Sequence, residues 1–365
     1  MIYDCAQQSA GKTVGTEPDP PECVKDGLSC ALEGRPPCRP MGFSAPSVFD
    51  IHAHVIGFNS GQDGNYLCAP RQRNLMLRVF LRRAASGLLP GSPSDVVVRQ
   101  QLSKWISESQ VDRVVLLALD GVYRQDGTPD MPRTQVITSN DFVADFAAGH
   151  PKALFGASIH PYRQDALQEL DRVAQRGACL IKWLPSGQNI APDDPRCIPF
   201  YERMAHHRLP LLAHTGIEHT LPAFDNSLNA PRRLLPALQR GVTVIAAHCG
   251  TRLFLHERSY FEEWARMAKE HPAFYGDLSV FGLPVHGRPL RRILRDPGMV
   301  TKVLYGSDFP AAPLPLWYVL RLGWRKARAL GRLENPFDAA YLTLKELGVP
   351  DEVFTRAGSL LRSSK

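Results

Sequence analysis

The chain lacks what would carry it into or across a membrane. Its 365 residues contain no run of eighteen or more apolar residues, so no segment reads as a bilayer-crossing helix. The opening MIYDCAQQSAGKTVG has neither the basic stretch nor the apolar core of a signal peptide. A cytoplasmic, soluble protein without a membrane partner is the expectation. Eight cysteines with no C-x-x-C pair argue against a disulfide scaffold and against a paired thiolate metal site. Four of them, Cys5, Cys23, Cys30 and Cys38, fall within residues 1–46, a stretch rich in Pro, Gly and polar residues that reads as an irregular N-terminal extension. The net charge of +7 comes mostly from scattered arginines. Its two dense clusters, Arg71 to Arg83 and Gly287 to Arg295, lack the aromatic interleaving of nucleic-acid modules and read as solvated helix faces, so no nucleic-acid partner is expected. The positive balance leans towards an anionic substrate.

From Ser47 onward, apolar runs of strand length alternate with amphipathic helix-length segments, which is the pattern of a parallel α/β fold. The strand candidates span 48–54, 113–119, 154–160, 179–184, 210–216, 242–248, 273–279 and 302–308. Polar residues near the ends of the last five, Lys182, His214, His248, Asp277 and Asp308, are spaced by 32, 34, 29 and 31 residues, about one βα unit each. Eight such units predict a (β/α)8 TIM barrel over residues 47–365, closed by C-terminal helices, with the active site at the C-terminal ends of the strands. A doubly wound sheet would normally show a Gly-rich phosphate turn after its first strand, and DIHAHVIG is not one. The long segment from Val55 to Gly91 reads as an insertion forming a lid or substrate wall.

The first strand raises the chemical question. In FDIHAHVIGF, His52 and His54 stand two residues apart and therefore face one side together. A divalent cation suits two converging imidazoles best, with a hydrogen-bonded structural pair as the alternative. His214, His248, Lys182 and Asp308 at later strand ends can converge on the same mouth. Each has a bland reading alone, as a core histidine, a snorkelling lysine or a turn former. Their joint order on successive strands favours a site.

The segments DIHAH, LIKWLP, PLLAHTG, IAAHCG and LYGSDFP resemble the amidohydrolase superfamily, in particular its amidohydrolase-related branch of metal-dependent barrel enzymes. The C-terminal FTRAGSLLR is similar to that branch's closing helix, with Gly358 where an Asn is usual. The resemblance covers residues 47–362 and implies that His52, His54 and Asp308 ligate a divalent metal, with His214 completing the set in one-metal members. It also implies a catalytic or second-metal role for His248, and a bridging carbamate on Lys182 if two ions bind. Such a donor set suits Zn²⁺ and tolerates Mn²⁺. Asp308 would then accept a proton from the attacking water and deliver it to the leaving group. One metal ion is preferred over two.

Other strand-end residues are expected to shape the pocket: His160, Tyr162, Arg163, Trp183, Glu218, His219 and Asp277, with Arg163 the first choice for holding a substrate carboxylate. The function implied is metal-dependent hydrolysis of a small ester, lactone or amide, an acidic one by the charge balance. Non-oxidative decarboxylation of an unsaturated or aromatic acid is the runner-up, and a catalytically dead binding barrel the alternative from another class. Family habit makes a homodimer the expected assembly.

Overall fold

Strand alternation decides which residues fill the interior and which face the helices. The computed structural model describes residues 47–58, 63–68, 75 and 95–361. The N-terminal extension with its four cysteines, the Arg71 to Arg83 cluster and most of the Val55 to Gly91 insertion lie outside the described residues. All eight expected strands are present: β1 (Phe49–His54), β2 (Arg113–Leu117), β3 (Ala153–Ala157), β4 (Leu180–Trp183), β5 (Leu211–His214), β6 (Val244–Ala247), β7 (Phe274–Asp277) and β8 (Val303–Leu304). They pair in sequence order, each parallel to the next. Backbone bonds close the cylinder between its ends: Ile51 N–H donates to Tyr305 O at 3.1 Å, Asp308 N–H to His52 O at 2.7 Å and His54 N–H to Phe309 O at 2.8 Å. The result is the eight-stranded parallel barrel that the spacing predicts, with helices between its strands.

Alternate residues Val115, Leu117, Leu180, Leu212, Ile245 and Leu304 pack together with Ile51 in the lumen. Their neighbours Val114, Leu116, Ile181, Leu211, Val244 and Val303 pack outward under the helices. Space inside is tight. A Cβ on Gly156 of β3 would meet the side chains of Leu117 and Val115 at 2.6 and 2.9 Å, so the lumen demands glycine there. Ala357 and Leu361 close the N-terminal end beside Phe49. Gly358, where the family resemblance expects Asn, lies so close that its Cβ would sit 3.0 Å from the Phe49 ring.

The same alternation corrects one sequence expectation. Trp183 follows Lys182 directly and must face the opposite side of β4. It is fully buried in the outer layer, its Nε1–H donating to Ile159 O at 2.8 Å and its ring 5.6 Å from those of Phe200 and Tyr201. It therefore packs behind the strand instead of lining the pocket.

The connecting helices include α1 (Asp95–Glu108), α2 (Asn140–Ala148), α3 (Ala166–Gln175), α4 (Ile198–His207), α5 (Leu235–Gln239), α6 (Phe261–Glu270), α7 (Gly287–Arg295) and α8 (Pro336–Glu346). Ser139 caps α2, its Oγ accepting from Phe142 N–H at 3.1 Å. Helix α7 buries Leu290 and Ile293 and turns Arg288, Arg291, Arg292 and Arg295 to solvent, so the second basic cluster is the solvated helix face its pattern predicts. Among the described residues no helix is long and apolar enough to cross a membrane.

Candidate metal centre

A strand irregularity sets up the site. Pairing of β1 with β2 slips between Asp50 and Ala53, where three residues of β1 span two of β2. This bulge lets Ile51 join the lumen cluster, Ala53 the outer one, and His52 with His54 the rim of the lumen. Asp50, fully buried below them, holds β1 to the β8 side by accepting from His52 N–H at 3.0 Å and from Ser307 N–H at 2.9 Å. Burial raises its carboxyl to about 7 against those hydrogen bonds.

His52 Nδ1–H donates to Asp277 Oδ2 at 2.8 Å, which leaves the Nε2 lone pair as an acceptor. Three atoms converge on that lone pair: Lys182 Nζ at 2.9 Å, His54 Nε2 at 3.2 Å and Asp308 Oδ1 at 3.2 Å. Asp308 Oδ1 is also 3.4 Å from His54 Nε2. Burial, reinforced by the Lys182 charge, lowers the pKa of His52 despite Asp308 and Asp277, so the ring is neutral. Burial likewise lowers Lys182 to about 8, opposed by the charges of Asp308, Asp277 and Glu218.

Asp277 is the hub beneath the histidines. Besides His52 it accepts from His248 N–H at 2.8 Å, from Ser279 N–H at 3.1 Å and from the Ser279 hydroxyl. Because that hydroxyl proton is committed to Asp277, Ser279 Oγ accepts from His248 Nδ1–H at 2.8 Å, and His248 Nε2 is left as a second lone pair. Burial alone would raise the Asp277 carboxyl, but the His52 imidazole beside it and the hydrogen bonds it accepts from His52 and Ser279 hold it far below the usual range. Asp308 is pulled down in the same way, by His52, His54 and His248 against burial. Burial drops His248 to about 3. His248 and Asp308 both hold left-handed backbone, with φ of 60° and 56°, a strained state for side-chain-bearing residues that clusters at functional sites.

The donor geometry fits a cation. Ligand bonds of about 2.0–2.1 Å in a tetrahedral site imply edges of about 3.3 Å between donors, and the His52, His54 and Asp308 atoms are 3.2, 3.2 and 3.4 Å apart. Ligand atoms of His52, His248 and Asp308 also lie within 4.8 Å of one another. This second, wider trio contains His248, whereas the family resemblance adds His214 as the fourth ligand to His52, His54 and Asp308. The His214 ring is 5.0 Å from that of His248, and its Nε2 is buried with no hydrogen-bond partner among the described residues, a lone pair suited to a ligand. Glu218 Oε2 is 3.6 Å from it.

Two adjoining cavities, of about 90 and 230 Å³, open onto His214, Glu218, His248 and Asp308. The smaller is walled by Val55, Ile56, Leu119, Leu184 and Leu221, the larger by Ile217, Leu253, Leu283 and Leu314. His219 lines the larger one and pairs with Glu257 at 3.1 Å. The other expected pocket residues line neither. Arg163 is committed to Asp120 at 3.2 Å and to both oxygens of Asp165, which leaves no free fork for a substrate carboxylate. His160 Nε2–H donates to Gln188 O at 2.9 Å and its Nδ1 accepts from Tyr162 N–H at 3.2 Å. Tyr162 donates to Asp194 Oδ2 at 3.3 Å. Sequence reasoning treats Asp277 as one pocket residue among several and passes over Ser279, Asp50 and Asp120. The DIHAH and DLS motifs contain the first three, but nothing in their spacing distinguishes a support from a wall.

A closed eight-stranded barrel with histidines and an aspartate gathered at its C-terminal rim defines a TIM-barrel enzyme of the metal-dependent type. The amidohydrolase family model matches residues 110–351, and the chain belongs to that family, whose members are metal-dependent enzymes. Among solved structures it is similar to an uncharacterised TIM-barrel protein from Bordetella bronchiseptica, at 16% identity over 83% of this chain and 99% of the other, with a TM-score of 0.52. It is also similar to a protein from Pseudomonas putida provisionally named 2-pyrone-4,6-dicarboxylic acid hydrolase, at 13% identity over 86% and 97%, with a TM-score of 0.52. The 5-carboxyvanillate decarboxylase from Sphingomonas paucimobilis aligns at 14% identity over 87% and 98%, with a TM-score of 0.47. At these identities the likeness is one of fold. No curated protein matches.

Proposed function

We propose that the chain is a metal-dependent hydrolase that cleaves a small ester, lactone or amide. The observation that carries this reading is the meeting of His52 Nε2, His54 Nε2 and Asp308 Oδ1 at 3.2–3.4 Å, the edges of one coordination polyhedron. In this reading these three hold one divalent cation, with His214 Nε2 as the fourth donor. Zn²⁺ fits the donor set best and Mn²⁺ is tolerated. A cation bound there supplies Lewis acidity and makes water available as a nucleophile near neutral pH.

The chain's own groups divide the remaining work. Asp308, kept ionised by the surrounding imidazoles, accepts the proton of the attacking water and returns it to the leaving group. His248, its Nδ1–H tied to Ser279, offers only Nε2 as an acceptor and so orients the water. Glu218 Oε1 is held by the amides of Thr220 and Leu221 at 2.5 and 2.9 Å, which presents Oε2 to the substrate. Lys182 donates to the same His52 lone pair that the cation requires, so it must swing away or become a carbamate for binding to occur.

The test combines metal analysis with product detection. Protein loaded with Zn²⁺ should hold one ion per chain and release acid from a panel of aryl acetates and lactones. CO₂ release from aromatic acids without hydrolysis would replace this reading with decarboxylation. Wild-type stability in chelator with no retained metal would replace it with a binding barrel.

A further inference from the structure

His286 stands apart from the metal-facing histidines, and no role in the proposed chemistry uses it. It sits in the short turn before α7, is 3% exposed, and lines the larger cavity together with His214, His248 and Asp308. Among the described residues, neither ring nitrogen has a hydrogen-bond partner. The ring is held against Phe281 at 5.2 Å between centroids, so its plane is fixed by packing while both polar atoms remain unspent. A buried donor and acceptor left unsatisfied have lost their hydration with nothing to replace it. The structural His160 avoids that loss, with both of its nitrogens bonded.

The cavity wall combines apolar Ile217, Leu253, Val280, Leu283 and Leu314 with the charged Arg252, Glu218 and Asp308. His286 itself supplies no counter-charge to an anionic substituent, because burial holds the imidazole at about 4 and therefore uncharged in working solutions; positive charge in this wall sits on Arg252. An uncharged hydroxyl matches both nitrogens' chemistry, accepting from the N–H or donating to the bare nitrogen, and a carbonyl oxygen matches the N–H by accepting from it.

We propose that His286 is a substrate-positioning residue, which hydrogen-bonds an uncharged oxygen substituent on the apolar or aromatic portion of the substrate lodged in the larger cavity. This rests on the hydrolase reading only in taking that cavity as the substrate's. A hydrogen-bonding site of this kind discriminates against analogues that lack the group, because its polar atoms then stay unpaired.

The experiment measures binding, without turnover, of two probe pairs to the full chain with and without Zn²⁺: benzene against phenol, and toluene against 3-methylphenol. We expect the added hydroxyl to tighten binding by about tenfold in the wild type. His286→Phe should abolish that preference while leaving or improving affinity for the parent compound, and His286→Gln should restore part of it. Ring-nitrogen NMR shifts of His286 should move with the hydroxylated probe alone. Equal affinity within each pair for the wild type, or an unchanged preference in His286→Phe that folds with wild-type circular dichroism, would overturn the inference. A hydroxyl preference without hydrolysis of any ester would sustain it and sink the hydrolase reading instead.

Discussion

Two sectors of the barrel rim carry similar side chains and differ in whether their polar atoms are spent. Around the ends of β2 and β3, Asp120, His160, Tyr162 and Arg163 form a closed network: the carboxylates hold the guanidinium, and both nitrogens of His160 are bonded within the protein. Around β1, β5, β6 and β8 the histidines end in surplus. His248 and His52 each have one nitrogen tied down and turn the other to a shared centre, where His52 Nε2 meets Lys182, and among the described residues neither His214 Nε2 nor either nitrogen of His286, beyond β7, has a hydrogen-bond partner. A network that satisfies itself is a support, and one that leaves lone pairs aimed at a common point is built for something not in the chain. Sequence motifs alone cannot separate the two, because HPYR and HTGIEH look equally equipped.

The largest effect expected falls on the open sector. Asp308→Asn keeps the shape but removes the charge that gathers His52 and His54 and the base that takes the proton. Ester hydrolysis should fall about 10²- to 10⁴-fold, and metal per chain should drop in parallel by elemental analysis. Retained metal with undiminished hydrolysis would remove Asp308 from the centre and dissolve the contrast between the sectors.

A second effect follows from burying a neutral histidine. His286 falls from an ordinary value of 6.5 to about 4 on folding, so the unfolded chain binds the extra proton first. Its contribution to stability is complete above pH 6.5 and is lost as pH falls towards 4, about 3 kcal/mol in all. Denaturant titrations of the wild type and His286→Phe across that window should diverge, with the variant the less acid-sensitive. Parallel curves would mean that His286 is not sequestered as described.

How much of this was legible in the sequence depends on the kind of information each residue carries. The eight strands, the barrel and the gathering of His52, His54, His248 and Asp308 follow from periodicity and spacing, because alternation and βα-unit length are local properties. The bulge in β1 does not, since Ile51 and His52 sharing the lumen depends on pairing with β2. Arg163 looked like a carboxylate clamp because its partner Asp120 lies 43 positions away and no pattern links them. Trp183 is a different failure, for alternation from Lys182 already turned it outward.

Below the centre, Asp277 ties the two lone-pair histidines to one carboxylate, which makes it the bridge between support and site. Asp277→Asn keeps the volume, but its amide nitrogen can only donate. One of the contacts from His52 Nδ1–H and His248 N–H is lost, and the His52 ring is free to turn. Removing such a partner typically costs 10- to 100-fold in metal affinity, and we expect a loss of that order in a Zn²⁺ competition titration. An unchanged affinity would show that the rings are oriented by packing alone.

The smallest effect tests the closed sector directly. Arg163→Met removes a guanidinium with no free donor edge towards the cavities, and it leaves the Asp120 carboxylate, which burial already pushes upward, without its counter-charge. Stability should fall by about 1–3 kcal/mol, the cost of an unpaired buried carboxylate, while KM for acidic esters stays within about twofold of the wild type, a shift of about 0.4 kcal/mol. A KM that rises tenfold or more for acidic but not neutral esters would mean that Asp120 releases the guanidinium to a substrate. That outcome would move the β3 end from scaffold to recognition surface, and the distinction between spent and unspent polar atoms would no longer separate the two sectors.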